Sequence, residues 1–290
     1  MIFNLTMGFN RLKTTILLAS LAGLFIGVGY LIGNQTGMII GFAIAMLFNF
    51  GSYWFSDKIV LKMYKAKEVH SEHKLYKIVA ELARRAKLPM PKVYIIQAPS
   101  PNAFATGRSP KKGAVAATQS LLDLMSDEEV SAVMAHELSH IKNRDTLIQT
   151  IAVGIASAIA ILAEMTQWAI IFGLGRDEDD GIGGIAGALV LIILTPIIAT
   201  IIQLAISRQR EFMADAGAAQ IMKTSTPMIN ALYKLENSVK SPKNPHSGKA
   251  PTESLFIVNP FKGNAVFKMF STHPSTKDRI AALRKLKIQR

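Results

Sequence analysis

Two stretches near the N-terminus, Thr14–Gly33 and Thr36–Phe55, contain no charged side chain. A helix rises 1.5 Å per residue, so about 20 apolar residues cross about 30 Å of hydrocarbon, and each stretch is long enough to span a bilayer. Only Asn34 and Gln35 separate them, which predicts a transmembrane hairpin with Trp54 at headgroup level. No small-residue cleavage site followed by a polar start lies before the second stretch, which argues against a cleaved signal peptide. A third run, Leu147–Leu174, holds one charge, Glu164; a fourth, Ile182–Ile206, holds none but carries Pro196. These two are read as a second hairpin, spanning or re-entrant, since Glu and Pro are tolerated in hydrocarbon only where protein or water satisfies them. The chain therefore divides into a hairpin (1–55), a polar region (56–146), a second hairpin (147–206) and a second polar region (207–290).

Orientation follows from the flanks. Arg11, Lys13, Lys58, Lys62, Lys65, Lys67, Lys142, Arg144, Arg208 and Arg210 border the apolar runs on one side, whereas the loop Gly175–Gly181 on the other is acidic. By the positive-inside rule both termini and both polar regions are cytoplasmic. Only 18% of residues are charged, against about 25% in soluble domains, yet the net charge is +13. Such a balance suits nucleic acid or anionic lipid. Basic patches interleaved with aromatics are not evident, so the lipid bilayer is the expected partner and nucleic acid is not. The absence of Cys excludes disulfides, thiolate metal sites and Cys nucleophiles.

Within the polar regions, helical spacing predicts a helix over Leu61–Ala86. Short strands are expected at Val93–Ile96 and Ala114–Thr118, with loops or a bent edge strand over Ala98–Gly113. Ser126 followed by Glu129 is a capping box, opening a helix that carries Val130, Val133, Met134, Leu138 and Ile141 on one arc. Further helices are expected at Ser207–Met222, Pro227–Val239 and Asp278–Leu286, with a Pro- and Gly-rich segment, Ser241–Pro260, between the last two. The expected fold is mainly α with a small β element, a multi-pass membrane protein with one lobe assembled from both polar regions.

The capped helix contains His136-Glu137-Leu138-Ser139-His140, an H-E-x-x-H motif that chance would produce about once in two hundred chains of this composition. On a helix, positions four apart share a face, so both imidazoles can reach one Zn²⁺. Glu137 stands beside them, able to take a proton from the attacking water as general base. A catalytic zinc needs a third protein ligand and an open position. His70, His73, His246 and His273 remain, and carboxylates count equally. Glu211 leads, because two membrane crossings return it to the same face as His140. Asp215, one turn on, could accept the other ring N–H of a zinc histidine. Glu211 and Asp215 could equally lie on a solvated helix face with Arg208 and Arg210.

The order of elements resembles the CAAX-prenyl-protease-like family of membrane zinc metalloproteases, a group of gluzincins. The likeness rests on the N-terminal hairpin, Asn102-Ala103-Phe104, the H-E-x-x-H motif followed by Asn143-Arg144-Asp145, Arg210-Glu211-Phe212-Met213-Ala214-Asp215 and Thr272-His273-Pro274. It implies a gluzincin-type catalytic lobe at the cytoplasmic face, one Zn²⁺ held by His136, His140 and Glu211, and Glu137 as general base. Asp215 would then support a zinc histidine; Asp145 would do the same or act as a charged stop before the bilayer. Asn102 would border the cleft, and His273 would stabilise the oxyanion or cap the zinc in a latent state. The resemblance also implies a bacterial inner-membrane protease in a stress response, acting on misfolded membrane proteins or their cytosolic loops, and on itself by self-cleavage. Two rivals are an intramembrane protease, disfavoured by the charges flanking the motif, and a membrane scaffold or chaperone with a closed structural zinc.

Overall fold

The computed structural model describes residues 2–147, 208–240 and 274–288. The third apolar run beyond Leu147, the fourth run, the segment Ser241–Pro260 and His273 lie outside the described residues.

Helix α1 (Ile2–Met63) is helical along its length, but the chain reverses within it at Asn34, whose φ of 51° is left-handed. Asn tolerates that conformation better than most residues. The two arms then pack together. Asn49 Nδ2 donates to the Leu18 carbonyl at 3.1 Å, and the Phe25 and Phe48 rings lie 6.0 Å apart. Gly29, Gly37 and Gly41 allow this approach, since a Cβ on Gly29 would strike the Gly37 carbonyl and one on Gly41 the Phe25 carbonyl. The second arm turns Ile39, Leu47 and Phe50 outward. Its segment Asn34–Phe55 is, among the described residues, the one helix long and apolar enough to cross a membrane.

Beyond that segment α1 continues onto a four-stranded sheet made of β1 (Lys67–Val69), β2 (Lys92–Ile96), β3 (Ala103–Thr106) and β4 (Ala114–Thr118), in the order β1-β2-β4-β3. Strands β2 and β4 run parallel, and the outer pairs are antiparallel. Alternation divides the sheet into two faces. Phe104, Ile96 and Ala116 pack under Val60 of α1, with the Tyr64 ring 5.4 Å from Phe104. Val93, Ile95, Ala103, Ala105, Val115 and Ala117 face the main core, which α2 (Lys74–Ala86) and α4 (Asp127–Asn143) complete. The short helix α3 (Gln119–Leu124) joins β4 to α4.

The expected strands at Val93–Ile96 and Ala114–Thr118 are present, and Ala98–Gly113 does contain an edge strand, β3. The helix expected over Leu61–Ala86 is corrected: α1 stops at Met63, β1 intervenes, and α2 begins at Lys74. Strand β1 pairs antiparallel with β2, Glu68 opposite Tyr94, and Lys92 Nζ reaches Glu68 at 3.0 Å. Three residues with two charges carry no alternation signal; pairing with β2 creates this strand.

The C-terminal helices are α5 (Arg208–Met222), α6 (Thr226–Lys240) and α7 (Thr276–Lys285). All three pack into the lobe. Helix α4 lies at its centre, buried from Glu129 to Ile141 except at Ser131. The single apolar arc expected for α4 is therefore an understatement, because its polar side is covered by α5.

Candidate active site

Helix α4 is fixed at both ends by its own sequence. Ser126 Oγ accepts from the Glu129 N–H at 3.4 Å and the Ser126 N–H donates to Glu129 Oε2 at 2.8 Å, the reciprocal pair of a capping box. Lys234 of α6 holds the same Glu129 carboxylate at 2.6 Å. At the other end Arg144 takes a left-handed φ of 60°, its N–H capping the His140 and Ile141 carbonyls. The chain then doubles back, the Asp145 N–H also donates to His140 O at 3.0 Å, and the Asp145 carboxylate arrives 3.2 Å from His140 Nδ1.

Helix α5 crosses α4 at Gly217, where a Cβ would lie 2.5 Å from Ser139 Oγ. That close crossing brings Glu211 and Asp215 to the His136–His140 face. The two Nε2 atoms are 3.2 Å apart, and Glu211 lies 3.6 Å from each, through Oε2 to His136 and Oε1 to His140. Asp215 Oδ1 is 2.9 Å from His136 Nδ1. All four side chains are buried rather than solvated.

His136, His140 and Glu211 form a possible metal site, with all three donor atoms within 4.8 Å of one another. The spacing fits. Donors about 2.0–2.1 Å from a tetrahedral ion stand roughly 3.3–3.4 Å apart, against 3.2, 3.6 and 3.6 Å here. Charge fits as well. Among the described residues, the buried cluster contains four carboxylates, Glu137, Asp145, Glu211 and Asp215, against two guanidiniums, Arg210 and Arg279. With both imidazoles neutral, as metal ligands are, two negative charges are left over, the complement of one divalent cation, and buried charge that is not matched is costly.

Arg279, on α7, is a site residue that reading the sequence missed. It is buried, donates to Asp215 through Nε at 2.8 Å and Nη2 at 2.6 Å, and lies 3.8 Å from Glu211. Burial works against its charge, but Asp215 outweighs burial and raises its pKa. In return, the nearby guanidinium outweighs the burial of Asp215 and holds that carboxyl below its usual range. The available signal was position: residues 279, 283 and 286 share one helical stripe, and Leu283 and Leu286 face the core. Arg210 was also misjudged. It is buried beside Asp145 and Glu211, whereas its neighbour Arg208 is exposed.

Glu137 reaches strand β3. Burial raises its pKa, partly offset by His136 and His140, and its carboxylate accepts from the backbone N–H of Ala105 on β3. For His136, burial disfavours the charged form, but hydrogen bonding to Asp215 and Glu211 wins and raises it to about 9. Asn102 is buried at the start of β3, its N–H donating to Thr118 Oγ1 at 2.9 Å and its carbonyl accepting from the Thr118 N–H at 2.9 Å.

Paired helical imidazoles, a carboxylate from a second helix and a buried glutamate beside them define the chain as a metalloprotease. Comparison with known proteins narrows that class. Residues 69–287 match the model of peptidase family M48. Relatives named Protease HtpX homolog share 50% identity over 278 residues in Persephonella marina, covering 94% of this chain and 96% of that one, and 48% over 279 residues in Pyrococcus furiosus, covering 96% of both. A crystal structure of S. mikatae Ste24p is similar at a TM-score of 0.49 and 17% identity, over 96% of this chain and 66% of that one. The chain belongs to peptidase family M48.

Proposed function

We propose that this metalloprotease is a zinc endopeptidase anchored in the bacterial inner membrane, cutting misfolded membrane proteins, or their cytosolic loops, at the cytoplasmic face. The observation that carries the reading is the position of Glu137, between the His136–His140–Glu211 cluster and strand β3, and joined to the strand through the Ala105 N–H.

His136, His140 and Glu211 would hold Zn²⁺; Asp215 and Asp145, at their imidazoles' Nδ1 atoms, would fix the ring orientations. When bound, zinc acts as a Lewis acid that makes water a competent nucleophile near neutral pH and polarises the scissile carbonyl. Glu137 accepts the water's proton and returns it to the leaving amine. Its raised pKa suits both steps, because a base poised nearer neutrality also serves as the acid.

Substrate alignment falls to β3. Among the described residues it pairs with β4 alone, so the backbone groups of its other edge, apart from the Ala105 N–H bonded to Glu137, can take an extended peptide as an added strand. Only an extended segment can do this, which favours unfolded polypeptides and makes self-cleavage of a loose segment feasible. Asn102 would border the bound peptide, and His273 would approach the oxyanion. The apolar hairpin of α1 supports membrane anchoring, and the basic flanks support cytoplasmic termini and a second hairpin, transmembrane or re-entrant, at 147–206.

The test is Glu137→Gln. With bound zinc measured in parallel, cleavage of a loosely folded substrate should fall about 10³-fold at unchanged metal content, within the usual range for a general base. Equal cleavage by the variant overturns the mechanism.

A further inference from the structure

Where α1 leaves its apolar segment, the Arg108 guanidinium lies 3.8 Å from the Trp54 ring centre. Stacking engages the face of a guanidinium and leaves its in-plane N–H groups needing acceptors. Arg108 Nη1 is buried and has no hydrogen-bond partner among the described residues. A buried, unpaired donor is costly, so the arrangement asks for an acceptor. The surroundings are basic. Lys58, one turn beyond Trp54, is exposed and lies over the Phe55 ring at 5.7 Å, while Lys111 and Lys112 are exposed on the turn that follows Arg108; Asp57 is the neighbouring acid. On the apolar side, Met46, Leu47, Asn49, Phe50, Tyr53 and Trp54 line an open groove of about 540 Å³.

We propose that groove and guanidinium together bind one anionic phospholipid, with an acyl chain along the groove and the headgroup phosphate at the half-buried Arg108 guanidinium. An open apolar groove on α1 whose last lining residue, Trp54, carries a stacked cation matches the amphipathic shape and the charge of such a lipid. A neutral, zwitterionic headgroup gains less, because its own ammonium is repelled by Lys58, Lys111 and Lys112. Arg108 is two residues beyond β3, so the lipid would sit at the root of the strand proposed to align substrate. The inference rests on the membrane reading given above.

The full chain with Trp168→Phe keeps Trp54 as its one indole, since the sequence has two tryptophans. Reconstituted into vesicles, its fluorescence reports lipid at the groove. Brominated phosphatidylglycerol should quench Trp54 at about fivefold lower mole fraction than brominated phosphatidylcholine. Arg108→Gln should bring the two lipids to parity while Trp54 remains quenched, and Lys58→Gln should reduce the preference less. Equal quenching by both lipids in the parent protein, or a preference that survives Arg108→Gln, overturns the site. Loss of the preference on adding inorganic phosphate would make it a free-anion site instead and also overturns the lipid. Absence of quenching by either lipid overturns the lipid site and leaves the membrane reading intact. Failure of the protein to float with the vesicles overturns both.

Discussion

Two close helix crossings organise this molecule, and they are built inside out relative to each other. In the α1 hairpin, Gly29, Gly37 and Gly41 let the arms touch while Ile39, Leu47 and Phe50 face outward. At the α4–α5 crossing, Gly217 against Ser139 does the same geometric work, but the groups enclosed are His136, His140, Glu211 and Asp215. The difference follows from the solvent. Hydrocarbon tolerates an apolar exterior and offers no drive to bury it, so the hairpin relies on backbone proximity. Water drives apolar burial, so the lobe can enclose charge only by matching it almost completely.

Arg279→Gln attacks that matching most directly. It leaves Asp215 and Glu211 buried without their guanidinium and should cost about 3–5 kcal/mol in thermal or urea unfolding of the metal-free protein, with added zinc recovering part of the loss. A change below 1 kcal/mol would show that the carboxylates are satisfied by other means. Gly217→Val tests the crossing itself: overpacking should cost about 1–3 kcal/mol and weaken zinc retention during dialysis, because α5 carries Glu211 away from α4.

Protons compete with the metal for the same cluster. His136 is raised to about 9, so below that pH a metal must displace its proton, and above it the imidazole is already free. Apparent zinc affinity should therefore fall by up to about tenfold for each unit that pH drops below 9, as read by competition with a chelator whose own titration is known. A flat profile between pH 6 and 8 would mean that His136 is already neutral. The smallest effect belongs to the hairpin. Asn49→Ala removes the bond to Leu18 and should cost about 0.6 kcal/mol in a bilayer or detergent unfolding assay, the usual worth of such a bond between membrane helices.

Local signals were legible in the chain. Ser126 and Glu129 announced α4 because a capping box is made of neighbours, and Ala114–Thr118 read as a strand because it is short, apolar and flanked by Gly and a polar helix start. The H-E-x-x-H pair could be read because helical periodicity alone places His136 and His140 on one face. Strand β1 was illegible: Lys67 and Glu68 are exposed, and only the partner strand makes the segment extended. Arg210 and Arg279 were illegible for a related reason. A lone arginine on a helix is ordinarily solvated, and its burial is decided by carboxylates 64 or more residues away in the case of Arg279.

The sequence by itself determined the apolar hairpin, the capped helix and the chemistry its two histidines and glutamate can perform, because each depends on spacing within a few turns. Tertiary structure decided which carboxylates meet those histidines and which cations balance them. It also made β3 an edge strand beside Glu137. Charges can be buried only when partners from distant segments arrive together, and no local pattern records that arrival.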